Sequence, residues 1–276
     1  MPKVSVLMTN YNAGKYIGEA IESVLWQTFT DFELIVVDDR STDTSWVTIQ
    51  EYSHQDARIR CYQNEKNLWI SLTRNRLIDL AQWEYLAWLD SDDRAKPNRL
   101  QRQIQFLDTN PQYGIVGSWM TLIDSEGKEE TTKQLPVSNK EIRKQWYFRN
   151  SLNHPTLMMR KECVQKTGYY DSLMDGAEDY DFWIRAWAHY LLANIPEVLI
   201  DYRIHNNNAS IKKHKKTIQK TLLVRKKMKN LWYPMWILAH IAYFITWMMQ
   251  FVPPTLVVLL FYSFIKIFSL KRTSVE

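Results

Sequence analysis

The chain has only two cysteines, Cys61 and Cys163, in 276 residues, and neither stands in a CxxC or Cys/His spacing. A disulfide framework and a zinc site are therefore excluded, and a reducing compartment is the expected setting. No GxGxxG and no GxxxxGK[ST] follows the first apolar run, so neither a dinucleotide fold nor a P-loop is indicated. Internal repeats and low-complexity linkers are missing too. The opening Met1-Pro2-Lys3-Val4-Ser5-Val6-Leu7 runs directly into a strand without the charged start, apolar stretch and cleavage site of a secretory signal. The part that follows is expected to stay on the cytoplasmic side.

The length suits one large domain, or one domain with an appendage, and the last third differs enough to favour the appendage. Nine bases between Lys212 and Lys229 occur without one acid. Such a run is commonly a solvated helix, and nucleic acid is one partner it could meet. Its neighbour argues for membrane instead: from Leu231 to Phe268 the only ionisable side chains apart from tyrosines are His240 and Lys266. Pro253-Pro254 divides this run into Trp232–Phe251 and Thr255–Phe268, the second short of the roughly 20 residues that a crossing needs. With Lys212–Lys229 on one flank and Lys271-Arg272 on the other, both ends are expected in the cytoplasm, as a re-entrant or surface-lying hairpin. A helical pair sealing a soluble core or a dimer interface is the plainer alternative.

Further upstream, Val4–Met8 and Leu34–Val37 read as buried strands around a helix at Ile17–Trp26. Ile59–Tyr62 and Tyr85–Leu89 continue as strands, Leu72–Ala81 and Arg99–Leu107 as helices. This alternation predicts an open, mostly parallel sheet with helices on both faces, whose ligands lie outside the carboxyl ends of the strands. Polar clusters fall at those ends: Thr9-Asn10-Tyr11-Asn12, Asp38-Asp39 and Asp90-Ser91-Asp92-Asp93. Three carboxylates in four positions repel one another unless a cation or a helix N-terminus compensates them. Hard oxygen ligands of this kind suit Mg²⁺ or Mn²⁺ with a phosphorylated substrate. The plainer readings are an acidic helix cap at Ser91-Asp92-Asp93 and a turn with a helix cap at Asp38–Asp43. An aromatic such as Tyr11 can stack on a base, Asp39 can accept a pyrimidine imide N–H, and Asp90 can reach ribose hydroxyls.

Four blocks in order, Val4–Asn12, Ile21–Phe29, Phe32–Asp39 and Glu84–Asp93, resemble the family 2 inverting glycosyltransferases with the nucleotide-sugar-binding GT-A fold. The resemblance covers roughly residues 2–210. It implies that Thr9, Tyr11 and Asp39 line the nucleobase and ribose, with Asn67 and Arg74 near the base and diphosphate. Asp90 and Asp92 match the family's DxD acids, Asp90 toward the ribose and Asp92 on the metal, while Asp93 fits a cap of the following helix. Gly176–Trp183 resembles the ED block, in which Asp179 matches the catalytic base; without the resemblance, Glu178, Asp179 and Asp181 read as the acidic first turn of a helix. His154 matches a position near the acceptor pocket, and His205 one that approaches the metal or diphosphate. Arg40, Trp69 and Trp83 depart from the pattern, each standing where glycine or a small residue is usual.

The expectation is a GT-A domain over 1–210, a basic helical linker over 211–230 and a membrane-associated hydrophobic hairpin over 231–276. Its activity is expected to be metal-assisted transfer from a nucleotide-diphospho-sugar, UDP-linked, to a hydroxyl of a lipid-linked or surface glycan at the cytoplasmic face of the membrane, with no nucleic-acid partner. The alternatives are a polyprenol-phosphate sugar synthase, a sugar nucleotidyltransferase and a non-catalytic membrane-bound binding module.

Overall fold

The computed structural model describes residues 3–146, 148–205, 208, 213–230 and 237–252. The chain runs β1 (Val4–Asn10), α1 (Ile17–Leu25), β2 (Phe32–Asp38), α2 (Ser45–Gln55), β3 (Ile59–Gln63), α3 (Trp69–Leu80), β4 (Tyr85–Trp88), β5 (Arg94–Ala95) and α4 (Arg99–Thr109). It continues with β6 (Tyr113–Ile123), β7 (Glu129–Lys133), α5 (Asn139–Gln145), β8 (Met158–Arg160), α6 (Glu162–Thr167), α7 (Glu178–Ala186) and β9 (Leu191–Arg203). Two further helices follow, α8 (His214–Asn230) and α9 (Ile237–Met248).

The central strands are apolar on both faces because helices cover both. Val4, Val6, Met8, Leu34, Val36, Tyr85 and Ala87 enter one core with α1, α2 and α4. The residues between them, Leu7, Ile35, Val37, Leu86 and Trp88, enter the other with α3, α5, α6, α7 and α8. A strand's period of two thus splits each run between two cores, and each buried side chain contributes roughly 1.5–3 kcal/mol.

The sheet order is β3-β2-β1-β4-β8-β6-β9-β5, with β7 added beside β6. The sheet is mixed and mostly parallel in strand direction, as expected: β1, β2, β3, β4, β6 and β9 run one way, and β5, β7 and β8 run against them. Among the described residues four of eight pairings are parallel, β1 with β2 and β4, β2 with β3, and β6 with β9, and the other four are antiparallel. Two of the antiparallel pairings come from β8, a three-residue strand that enters against both β4 and β6 and leaves those two running the same way; the other two come from β5 beside β9 and β7 beside β6.

The parallel half positions the site. Asn10 pairs with Asp38 and Leu7 with Trp88, so the polar clusters after β1, β2 and β4 leave the sheet along one edge.

The C-terminal third is partly described. Val224 and Met228, on the stretch expected to be a linker, are buried in the core with Tyr180 and Trp183. The first expected hydrophobic helix is seen as α9 with one further turn at Met249–Phe251. The second, Thr255–Phe268, lies outside the described residues, as does the rest of 253–276. Among the described residues no helix is long and apolar enough to cross a membrane.

Candidate active site

At the end of β1, Thr9 is partly buried and the Tyr11 ring is 53 % exposed. The two acids after β2 take different tasks. Asp38 is fully buried and accepts from Asn10 Nδ2 (2.7 Å), Ser41 N (3.0 Å) and Gln63 Nε2 (2.9 Å), which fastens the turn. Asp39 Oδ1 accepts from Asn64 Nδ2 and from Leu68 N, both at 2.7 Å, while Oδ2, among the described residues, accepts Trp69 N alone, at 3.0 Å. One lone pair of Oδ2 therefore remains for a ligand N–H. Asn67 Oδ1 shares that Trp69 N–H at 3.0 Å, so Asn67 and Asp39 together hold the start of α3. Arg40 (φ +66°) and Trp69 (φ +67°) lie in the left-handed region, which is the physical reason why glycine is favoured at both places. No comparable reason attaches to Trp83.

The acidic loop follows β4 directly, with Leu89 N bonded to Leu7 O at 3.1 Å. Asp90, Asp92 and Asp93 offer oxygen atoms that all lie within 4.8 Å of one another. Asp92 Oδ2 meets His205 Nε2 at 2.9 Å and Asn208 Nδ2 at 3.3 Å. The His205 ring packs against Tyr16, with centroids 4.9 Å apart. Asp93 does not cap a helix. It is 1 % exposed, its Oδ1 accepts Arg203 N at 2.8 Å, and α4 starts only at Arg99, beyond β5. Burial, then the neighbouring Asp92 and Asp90 charges, raises its carboxyl well above the usual range. Among the described residues Asp93 Oδ2 is buried with no partner. Acids crowded in this way, one of them with an orphaned oxygen, fit a hard divalent cation.

Arg203 locks the loop from behind. It is 1 % exposed, donates from Nε to Asp92 O at 2.9 Å and from Nη2 to Glu19 at 2.7 Å, and lies 4.7 Å from the Tyr16 ring centroid.

Helix α7 brings the remaining acids and gives each a separate partner. Glu178 pairs with Arg74 at 2.6 Å and accepts Gly176 N at 2.7 Å. Asp181 is 2 % exposed and bridges Arg185 (2.9 Å) and Lys227 (2.7 Å), tying α7 to α8. Asp179 is left facing the site: Oδ1 accepts Tyr180 N at 2.6 Å and Oδ2 accepts Asn150 Nδ2 at 2.9 Å. Burial, then the Glu178 charge, pushes the Asp179 carboxyl up to about 7, against the lowering effect of Arg74. Burial likewise raises Asp90 to about 6.

Two expected ligand residues sit deeper than a ligand would. Arg74 is 5 % exposed and lies between the two acidic blocks, with Nη2 at 3.9 Å from Asp90 Oδ1. His154, also 5 % exposed, is enclosed by Trp88, Trp183 and Tyr170, with Nε2 at 3.1 Å from the Tyr170 hydroxyl. Burial, then the Arg74 and Arg99 charges, holds its pKa well below the usual value, so it is a neutral ring within this aromatic cluster.

The structure thus links Asp90 to Arg74, Asp92 to His205, and Asp179 to the charges of Arg74 and Asp90, with Asp39 and Asn67 meeting at Trp69 N and Tyr11 following β1 at the same edge of the sheet. Arg203, Asn208 and Asn150 carry no sequence signal of their own. Only their nearness to His205 and to the Asn153-His154 block could have drawn attention to them.

Residues 5–168 match the family described as Glycosyl transferase family 2. An uncharacterized glycosyltransferase of Methanocaldococcus jannaschii is 36 % identical over 78 % of this chain and 75 % of its own length. The O-antigen biosynthesis glycosyltransferase WbnJ of Escherichia coli is 32 % identical over 74 % of this chain and 81 % of its own. Among solved structures, S. aureus TarS 1–349 in complex with UDP-GlcNAc superposes with a TM-score of 0.64 at 21 % identity over 81 % of this chain. The mannosyltransferase PcManGT of Pyrobaculum calidifontis, in complex with GDP-Man and Mn²⁺, gives 0.65 at 15 % identity over 83 % of this chain. The chain spans 66 % of that TarS chain and 64 % of PcManGT. At these identities the two structures establish the fold alone.

Proposed function

The chain belongs to glycosyl transferase family 2 and is a glycosyltransferase; on that premise we propose that it moves a sugar from a UDP-sugar to a hydroxyl of a surface glycan or its lipid-linked precursor, inverting the anomeric centre. The observation that carries this reading is Asp179, a carboxylate poised near neutrality beside the acids that hold the donor. The acceptor oxygen bonds to the anomeric carbon while the bond from that carbon to the diphosphate oxygen breaks. The hydroxyl proton passes to Asp179, which must be ionised to take it. Tyr11 stacks on the base, Thr9 and Asn67 border it, and the open lone pair of Asp39 accepts the imide N–H. Asp90 faces the ribose. Arg74 keeps Asp90 and Glu178 close without itself reaching into the cleft. His154 packs against Trp183 of the helix that carries Asp179.

Asp92 and His205 would hold a divalent cation, Mg²⁺ or Mn²⁺, which offsets negative charge on the departing diphosphate. Support comes from the clustered acids of this chain, and a Mn²⁺ complex is known for the structural neighbour PcManGT.

A hydroxyl acceptor is favoured over a polyprenol phosphate because an acceptor that is already ionised needs no base, whereas this fold invests a raised, oriented carboxyl at Asp179. A nucleotidyltransferase is disfavoured by the loop after β1. Its Asn12 and Gly14 N–H groups are spent on Ser41 (2.9 Å) and Asp43 (2.8 Å), so they are not free to cradle a triphosphate.

The cytoplasmic membrane face is the proposed location. Support comes from the outer side of α9, where Ile241, Phe244, Ile245, Trp247 and Met248 are all exposed. Surface-glycan synthesis is supported by relatives such as WbnJ.

The deciding experiment is nucleoside diphosphate release from a panel of UDP-, GDP- and dTDP-sugars with Mn²⁺, using the wild-type chain and Asp179→Asn. One preferred UDP-sugar, with turnover lost and UDP binding kept in the variant, is expected. Unaltered turnover in Asp179→Asn would remove the base, and preference for a GDP-sugar would remove the UDP assignment.

A further inference from the structure

Asn150 lies in the segment between α5 and the short turn His154–Thr156, away from every motif of the sequence. Its side-chain amide is oriented without ambiguity. Leu152 N, which can only donate, meets Oδ1 at 3.2 Å, so the NH₂ end must be the one that meets Asp179 Oδ2 at 2.9 Å. The segment itself is held from two further elements. Asn194 of β9 donates to Ser151 O at 3.1 Å, and Arg225 of α8 donates to Phe148 O at 2.8 Å. Asp179 therefore receives one N–H on each oxygen, from Tyr180 N and from Asn150 Nδ2. Each oxygen keeps a second lone pair, and the carboxylate plane is fixed from both sides.

Resting on the reading of Asp179 as the base, we propose that Asn150 is its positioning residue, holding the carboxylate plane so that a free lone pair of Asp179 meets the acceptor hydroxyl. The groups that face Asp179 from the surrounding elements are Glu178 on the same helix, Arg74 of α3, Asp90 after β4 and Tyr170 after α6. Asn150 adds no charge to this set. It adds direction, and a donor that prefers the ionised carboxylate to the protonated one. Partners that orient metal-ligating side chains in this manner typically change affinity or activity by about 10–100-fold, and a loss of the same order is expected for an oriented base.

Three full-length variants test the proposal with the preferred donor and Mn²⁺. Asn150→Ala should lower kcat by about 10–100-fold while the donor KM stays within about twofold, since orientation of the base is lost and donor contacts are not. Asn150→Asp keeps the size of the side chain but sets a carboxyl against Asp179, so the acidic limb of the kcat/KM profile should move up by about one pH unit. Retained UDP binding by both variants identifies intact protein. An Asn150→Asp profile that superposes on the wild-type one, or an Asn150→Ala kcat equal to that of the wild type, overturns the proposal. Asp179→Asn separates the two layers. If it is inactive while the Asn150 variants behave as wild type, only the positioning role fails, whereas an active Asp179→Asn removes the base itself.

Discussion

Asp179 has to be ionised to accept a proton, and burial among Glu178, Asp90 and Arg74 sets its carboxyl near 7. The ionised fraction rises with pH, so kcat/KM should climb tenfold per unit below about pH 7 and level off above it. A pH-rate profile checks the sign, and a rate that falls as pH rises through 7 would contradict the assignment. Asp92→Ala should leave turnover at the level of wild-type protein in EDTA, with added Mn²⁺ restoring nothing, as read from diphosphate release across a metal titration. Arg40 offers a prediction free of catalysis. A left-handed non-glycine residue costs roughly 1–2 kcal/mol and glycine's extra chain entropy roughly 0.5–1, so Arg40→Gly should raise stability by about 0.5–1 kcal/mol in urea unfolding. Acids are legible in a sequence because they are costly to cluster, and Asp90 and Asp92 stand out in that way, whereas Asp179 reads as the first turn of a helix until the resemblance singles it out. Asn150 and Asn208 do not stand out at all: a neutral amide fits almost any loop, and its meaning comes only from the carboxylate that it meets across 29 residues in one case and 116 in the other.

The legible elements were those with a strong period. Strands β1, β2 and β4 and helices α1, α3 and α4 appear within a few residues of their expected limits. Helix α2 was missed because only Ser45 and Ile49 are buried along its 11 residues, too few to print a stripe. Strands β6 and β7 were hidden for another reason: β7 lies at the margin of the sheet with no fully buried residue, and the 11-residue β6 mixes Gly114, Gly117 and Ser118 into its core face. The two glycines are required by close neighbours, since a Cβ on Gly117 would stand 2.2 Å from Asn194 Oδ1 and one on Gly114 2.5 Å from the Tyr190 ring. Helix α8 read as a uniform basic run, yet its cations have two fates. Arg225 is 2 % exposed and binds Phe148 O and Thr246 Oγ1, at 2.8 and 2.7 Å, while Lys215, Lys216 and Lys226 remain exposed. Arg225→Ala would strand those acceptors and should cost roughly 2–3 kcal/mol, measured by urea denaturation. Lys226→Ala should cost nothing measurable.

For the whole molecule, charge and apolar surface meet at the C-terminal helices. Helix α8 carries exposed lysines, and it packs against α9, whose outward face has Phe244 stacked on Trp247 (5.9 Å) and Trp247 edge-on to Phe251 (5.3 Å). A helix that is apolar on its outer side and flanked by lysines suits the headgroup region of an anionic bilayer. The full chain should sediment with vesicles containing phosphatidylglycerol, less in high salt, and Phe244→Glu with Trp247→Glu should weaken that binding several-fold. Equal sedimentation of the double variant would leave the α9 face without a part in anchoring. Because Val224 and Met228 are in the core, such point changes test anchoring where removal of the C-terminal third would also damage the fold.

The bond from Arg203 to the acidic loop joins residues 111 positions apart, and it bears on the order in which the molecule is made. Elements near the N-terminus leave the ribosome first and begin to fold there. The nucleotide cleft can therefore take shape while the last third is still being translated. His205 and Asn208 reach Asp92 only after β9 has threaded between β6 and β5. An early nascent chain would hold the acids of the loop without their clasp. On the proposed reading, cation binding and activity should therefore appear together, once β9 is in place and not before.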